Sequence, residues 1–184
     1  MSRVIVEALP LAGAYRIGID PHADARGFFA RTFCEDTLAA RGLVGRFRQS
    51  SVSFNWVRGT VRGMHYALTP HAETKLVRCT MGAIHDVIVD LRRDSTTYLK
   101  AFGATLSAEN RAALYIPAGF AHGFQTLRDE TEVLYMIDRA YVAEAARGLR
   151  WDDPALDVVW PEPVAVIAER DRTFPAWTGA DPVV

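Results

Sequence analysis

The chain has 184 residues, 49% of them hydrophobic and 23% charged, with 21 Lys plus Arg against 22 Asp plus Glu for a formal charge of -1. A chain of that length buries an adequate core without needing staples, and its balance excludes a disordered or fibrous protein. Without a basic surplus or stripe, no nucleic-acid partner is expected.

The N-terminal segment carries Glu7 and Pro10 where a secretory core would run unbroken. No window approaches the ~18 apolar residues of a membrane span. Cys34 and Cys79 form no C-x-x-C pair, so two buried thiols are expected, with a single disulfide as the alternative. These features predict one cytoplasmic domain over residues 1–184 with no membrane partner.

Short runs of β-branched and aromatic residues recur at Val4–Val6, Tyr15–Ile19, Phe28–Phe33, Val61–Tyr66, Leu76–Cys79, Ala83–Leu91, Leu114–Ile116 and Val133–Ile137. Pro21, Gly45, Gly82, Gly103, Pro117, Gly119 and Gly148 punctuate them. Many short strands at nearly even spacing predict an all-β sandwich or barrel rather than alternating β and α. Within Ala83–Leu91, one face carries Ala83, His85, Val87, Val89 and Leu91, and the other sets Asp86 and Asp90 beside Ile84 and Ile88. Helices are few: Glu35–Arg41 closing at Gly42, one turn after Ser107, and a short C-terminal helix over Val164–Arg170.

Five segments place rare polar groups among apolar ones. They are Arg62-Gly63-Met64-His65-Tyr66, Lys75-Leu76-Val77-Arg78-Cys79, Pro117-Ala118-Gly119-Phe120-Ala121-His122, Tyr135, and Glu169-Arg170-Asp171-Arg172. Singly each has a plain reading: a satisfied strand histidine, a solvated lysine, a packed tyrosine, an exposed helix end. Pro-x-Gly-x-x-His, however, resembles the second motif of cupin barrels, in which a tight turn delivers a histidine to the interior. In the first cupin motif a second histidine and a glutamate are expected where Ala67 and Lys75 stand. An ammonium repels a metal cation, so this pattern reads as metal-free.

The resemblance then becomes specific. RGFFARTF, RGMHY, KLVRC, DVIVDLRRDS, LSAEN, PAGFAHGF, VLY, ARGLRWDDP and the late ERD are similar, in order and spacing, to segments of the dTDP-4-dehydrorhamnose 3,5-epimerase family, from about Val4 to Asp171. That resemblance implies an all-β cupin jelly-roll barrel with a few short peripheral helices. It also implies a homodimer with strand exchange, no cofactor, and a nucleotide-linked 4-keto-6-deoxyhexose as substrate.

The C4 ketone acidifies the protons on C3 and C5, so epimerisation needs a base on one ring face, an acid on the other and a stabilised enolate between them. The resemblance assigns His65 as base with Asp171 as its partner, Lys75 to the enolate and Tyr135 as acid. An unperturbed imidazole pKa of about 6.5 suits a base at neutral pH, and a fixed ammonium suits an oxyanion. Substrate-binding positions implied by the resemblance are Arg26 and Arg62 for the diphosphate, Phe29 for the base or sugar, Gln49, and His122 for the sugar.

Departures fall on the binding side. Arg31 replaces an acid, Gln49-Ser50-Ser51-Val52 replaces Q-D-N-H, Ala67 replaces Gln, Met136 follows Leu134-Tyr135, and Ala140-Tyr141 stands for a tyrosine pair. They predict altered recognition of the nucleotide base around an intact catalytic set. The competing readings are a C3-only or C5-only epimerase on a non-dTDP sugar nucleotide, a metal-dependent cupin oxygenase, and a non-catalytic sugar-binding cupin.

Overall fold

The computed structural model describes residues 2–184. In chain order the elements are β1 (Val4–Ala8), β2 (Tyr15–Ile19), β3 (His22–Asp24), β4 (Gly27–Phe29), α1 (Glu35–Ala39), β5 (Gln49–Asn55), β6 (Thr60–Ala67), β7 (Lys75–Met81), β8 (Ala83–Asp90) and β9 (Ala101–Ser107). They continue with β10 (Ala113–Ile116), β11 (Phe120–Thr126), β12 (Thr131–Ile137), a 3-10 turn at Ala143–Ala145, β13 (Ala146–Gly148), β14 (Val166–Ile167) and α2 (Glu169–Arg172). One sheet has the order β1-β2-β10-β7-β12-β5; the other runs β13-β6-β11-β8-β9, with β14 also pairing β6. All of these pairings are antiparallel except β14 with β6, and the order is far from sequential. This is the expected cupin jelly roll, two sheets face to face with minor helices outside.

The alternation of side chains builds the layers. Val77, Cys79, Leu114, Ile116 and Val133 from the first sheet meet Ile84, Ile88, Leu106, Phe120 and Phe124 from the second in the central core. The residues on either side of Ile88 on β8, Val87 and Val89, turn outward into a second cluster with Leu91, Met64, Tyr66 and Leu149. Both faces of β8 are therefore covered, as its two-sided pattern predicts.

Several local expectations are corrected. The C-terminal helix is shorter and later, Glu169–Arg172 rather than Val164–Arg170. The single turn expected after Ser107 is present: the Arg111 N–H donates to the Ser107 carbonyl at 3.0 Å, and Ser107 and Asn110 close the turn by reciprocal side-chain to backbone hydrogen bonds of 3.0 and 3.1 Å. Phe28–Phe33 is not one strand, because Ala25 and Arg26 turn a small hairpin whose second strand, Gly27–Phe29, ends at Phe29. Both cysteines are free, Cys79 buried as expected but Cys34 only partly so. Among the described residues no helix is long and apolar enough to cross a membrane.

One irregularity positions the site. On β6, Arg62 and His65 are three residues apart, and in a regular strand they would point to opposite faces. The ladder with β11 slips between them: His65 lies opposite His122, but Arg62 lies opposite Phe124. Gly63 sits at the slip with φ +126, and a Cβ there would meet the Gly123 Cα at 2.5 Å. Two glycines thus allow a close backbone approach that rephases the strand and aims both side chains into one pocket.

At the far end of β8, buried Asp90 ties down the following loop. Its Oδ1 accepts from Arg92 Nε at 2.8 Å, and its Oδ2 accepts from Arg92 Nη2 at 2.8 Å and Thr97 Oγ1 at 2.7 Å. Burial alone would raise the Asp90 carboxyl, but hydrogen bonds from Arg92, Ser95 and Thr97 outweigh it and hold it below its ordinary value. The folded state therefore binds this proton less readily than the unfolded chain. The stabilisation is complete above the unfolded carboxylate value of about 4 and is lost as pH falls through the lower folded value. Asp90→Asn is expected to cost about 3–5 kcal/mol at pH 7, and the gap from the wild type should narrow as thermal melts are taken from pH 5 down towards pH 2. A gap independent of pH would show that Asp90 is not the anion holding this loop.

Candidate active site

A pocket of about 560 Å³ opens between the two sheets, within the usual range for small-molecule sites. His65, Lys75, His122, Tyr135 and Arg62 all line it. His65 and His122 come from neighbouring strands of one sheet, and Lys75 and Tyr135 from neighbouring strands of the other. Tyr135 pairs with Val77, whose side chain points into the central core, and Lys75 is two residues from Val77 on the same face. The imidazoles and the ammonium–phenol pair therefore face each other across the gap between the sheets.

Asp171, 106 residues from His65 in the chain, does not line the pocket but backs its wall behind His65. Helix α2 folds back over β6, where Asp171 Oδ1 lies 2.9 Å from His65 Nε2 and Oδ2 accepts the Gly63 N–H at 3.0 Å. Burial would raise this carboxyl, but the hydrogen bonds from His65 and Gly63 and the charge of Arg170 hold it below its ordinary value. An ionised carboxylate accepts, so His65 carries its proton on Nε2 and leaves the Nδ1 lone pair free. The ring is braced by Phe174, edge-on at 5.8 Å between centroids. Phe174 fits only because position 148 is glycine, where a Cβ would stand 2.1 Å from the Phe174 ring.

A second imidazole–carboxylate pair lies behind it. His122 Nε2 is 2.8 Å from Asp86 Oδ1, and Asp86 is wholly buried. The His122 ring stands edge-on to Tyr135 at 5.9 Å. Burial pushes the Tyr135 phenol well above its ordinary value, and the Asp86 charge adds to this. Lys75 is buried and pairs with Glu73 at 3.1 Å. With both histidines committed to carboxylates and a buried ammonium between the sheets, this donor set does not fit a divalent cation. Among the described residues no group of three His, Cys, Asp or Glu side chains is arranged to hold a metal ion.

The binding residues divide. Arg62 lines the pocket, its Nε donating to Asn55 Oδ1 at 2.7 Å, and its position is fixed by the end of β5. Gln49 lies at the start of β5, outside the lining, where Ser51 and Ser53 face the pocket instead. Arg26 and Phe29 are also outside the pocket of their own chain, on the β3–β4 hairpin. There Arg26 pairs with Asp24 at 2.6 Å, and Phe29 is 73% exposed.

Lining residues beyond those expected from the sequence include Glu73, His71, Tyr141, Arg147, Arg170 and Phe174. Arg170 Nη2 comes within 3.4 Å of His65 Nε2, beside the Phe174 ring. Only the charge run at Glu169–Arg172 signalled it. Asp86 was visible as a carboxylate among apolar strand residues but had no partner in the sequence.

A jelly roll that gathers a histidine braced by aspartate on one wall of its pocket and a lysine and a tyrosine on the other is a barrel of the cupin type. The family profile described as dTDP-4-dehydrorhamnose 3,5-epimerase matches residues 8–178. A protein named dTDP-4-dehydrorhamnose 3,5-epimerase from Sinorhizobium fredii is 42% identical over 181 residues, covering 96% of this chain and 91% of its own. The crystal structure of the enzyme of that name from Bacillus anthracis, with TDP and PPi bound, superimposes with a TM-score of 0.90 at 38% identity, covering 96% of this chain and all of that one. That from Elizabethkingia anophelis gives 0.92 at 35% identity, covering 97% and 98%. The chain belongs to the dTDP-4-dehydrorhamnose 3,5-epimerase family and is an isomerase.

Proposed function

We propose that the protein epimerises C3 and C5 of a dTDP-linked 4-keto-6-deoxyhexose. The observation that carries this reading is the pairing of His65 with Asp171 on one wall of a pocket whose opposite wall holds Lys75 and Tyr135. His65 Nδ1 takes the proton from the carbon next to the ketone, and the electron pair of that C–H bond passes to the C4 oxygen. Asp171 stabilises the resulting imidazolium, and the Lys75 ammonium stabilises the enolate oxygen. The enolate then collapses to the ketone as Tyr135 delivers its phenolic proton to the carbon from the other face. Solvent restores both groups before the next carbon is processed.

Arg62 supplies the fork for the diphosphate. His122, its Nε2–H held by Asp86, accepts a hydrogen bond from a sugar hydroxyl through Nδ1. Arg26 and Phe29 lie outside their own pocket, and their exposure on a protruding hairpin supports a role at the pocket of a second copy in a homodimer. Ala140 on the rim, where the family pattern has a tyrosine, favours one competing reading, recognition of a different base.

The test is incubation with dTDP-4-keto-6-deoxyglucose in deuterated water, followed by NMR, with CDP- and GDP-linked analogues in parallel. Exchange at both C3 and C5 with inverted product, fastest for dTDP, is the expected result. Exchange at one carbon only, or faster turnover of another nucleotide, would replace this reading by the corresponding competing one. Absence of exchange with every nucleotide would refute catalysis by this route.

A further inference from the structure

Lys75 is the buried cation of the pocket, and the assignment of the enolate oxygen to it raises the question of what aims it. Buried ammonium groups are costly unless paired. Among the described residues its one ion-pair partner is Glu73, at 3.1 Å, and Glu73 pairs with no other cation. Both side chains are largely buried, at 9% and 19% exposure. Both line the pocket.

The backbone around them is fixed from outside the pocket. Thr74, between the two, donates its N–H to Asp138 Oδ1 at 2.7 Å, and the Asp138 N–H donates back to the Thr74 carbonyl at 3.2 Å. Asp138 follows β12, the strand that carries Tyr135. This two-way clamp pins the entry of β7 to the exit of β12. Glu73 and Lys75, two residues apart on extended chain, are thereby set on the same side. Burial and the nearby Glu73 charge both push the Asp138 carboxyl up, and the combined shift is upward.

We propose that Glu73 is a positioning residue for the reaction. Its carboxylate accepts one of the three N–H groups of Lys75 and so directs the remaining two toward the C4 oxygen of the substrate. This inference deepens the function proposed above and rests on it. An ammonium is a flexible point charge on a four-carbon stem and has no fixed fork of its own. Preorganised charge stabilises an oxyanion only if it need not reorient during the reaction. Glu73 supplies that preorganisation from a loop, and the Thr74–Asp138 clamp holds the loop in place.

The experiment is a double-mutant cycle on the full-length protein, with turnover and solvent exchange of dTDP-4-keto-6-deoxyglucose as readouts and thermal melts alongside. Glu73→Ala is expected to lower kcat about tenfold to a hundredfold, as a misplaced group does, with little change in KM. Glu73→Gln, whose amide oxygen accepts the same N–H, is expected to recover kcat to within about threefold of the wild type. In a Lys75→Met background, Glu73→Ala is expected to add no further loss, and that double variant also removes the unpaired buried ammonium that could unfold the single one. Equal damage from Glu73→Gln and Glu73→Ala, additive losses in the cycle, or a kcat unchanged by Glu73→Ala would each overturn the inference. Wild-type protein without turnover, or Lys75→Met with full turnover, would instead overturn the function on which it rests.

Discussion

His65→Ala is expected to lose about 10²–10⁴-fold in turnover and to stop washing deuterium into C3 and C5, because of the two imidazole–carboxylate pairs at the pocket only His65–Asp171 presents an accessible imidazole, 34% exposed against 4% for His122. The barrel should survive. The His65 side chain is 34% exposed and belongs to no core cluster, so the main cost is the hydrogen bond that Asp171 loses, about 1–3 kcal/mol. Asp171 would still accept from the Gly63 N–H. Binding of dTDP should change little, since Arg62 is held by Asn55 on the other strand and not by His65. Calorimetric titration of dTDP and circular dichroism separate a lost base from a lost fold. Persistent exchange in a folded His65→Ala protein would move the base elsewhere, with His122 the first candidate.

That prediction depends on a contact no local pattern announces. Nothing near His65 in the chain supplies a carboxylate; Asp171 arrives because the last helix folds over β6. In the sequence it is one acid in an exposed-looking run, Glu169-Arg170-Asp171-Arg172, and only the family resemblance joined it to His65. The same holds for Asp86. Its place on a strand was legible, as was the face it shares with Ile84 and Ile88, but its bond to His122 belongs to the pairing of β8 with β11.

Strands were legible where burial is one-sided or complete. Tyr15–Ile19 has the expected limits, and Ala83–Leu91 differs by one residue. Gln49–Asn55 was not selected because it is an edge strand, partly solvated on both faces, so its residues carry no hydrophobic alternation. Phe120–Thr126 is absent from the expected strands for the opposite reason. It is buried along its whole length, yet His122, Gln125 and Thr126 interrupt its apolar pattern. Each finds a distant partner, Gln125 the Glu162 carbonyl at 2.8 Å and Thr126 that of Val57 at 2.8 Å. Buried polar groups of this kind obey tertiary satisfaction, which a window of sequence does not contain. Glu73 was passed over likewise: a carboxylate two residues before a lysine has an obvious surface reading, and only burial turns it into a buried pair.

Tyr135→Phe should separate the two halves of the reaction. The ring packs against the central core and keeps doing so without its hydroxyl, so the fold is preserved. His65, Asp171 and Lys75 are untouched, and the enolate still forms. In deuterated water the His65-bound proton exchanges, and the base returns deuterium to the face from which it took the proton. The variant is therefore expected to label the substrate carbons with retained configuration while inverted product falls by about 10²–10⁴-fold. In the wild type the raised phenol pKa has a definite sign: the proton stays on Tyr135 to higher pH than on a free tyrosine, so ionisation of this acid should produce no alkaline fall in rate below the ordinary phenol value of about 10. An alkaline limb near neutral pH that disappears in Tyr135→Phe would contradict that ordering. Inversion at the wild-type rate by Tyr135→Phe would remove Tyr135 from the mechanism altogether. Labelling without inversion is the outcome a merely structural tyrosine would not produce, because loss of packing slows both proton transfers together.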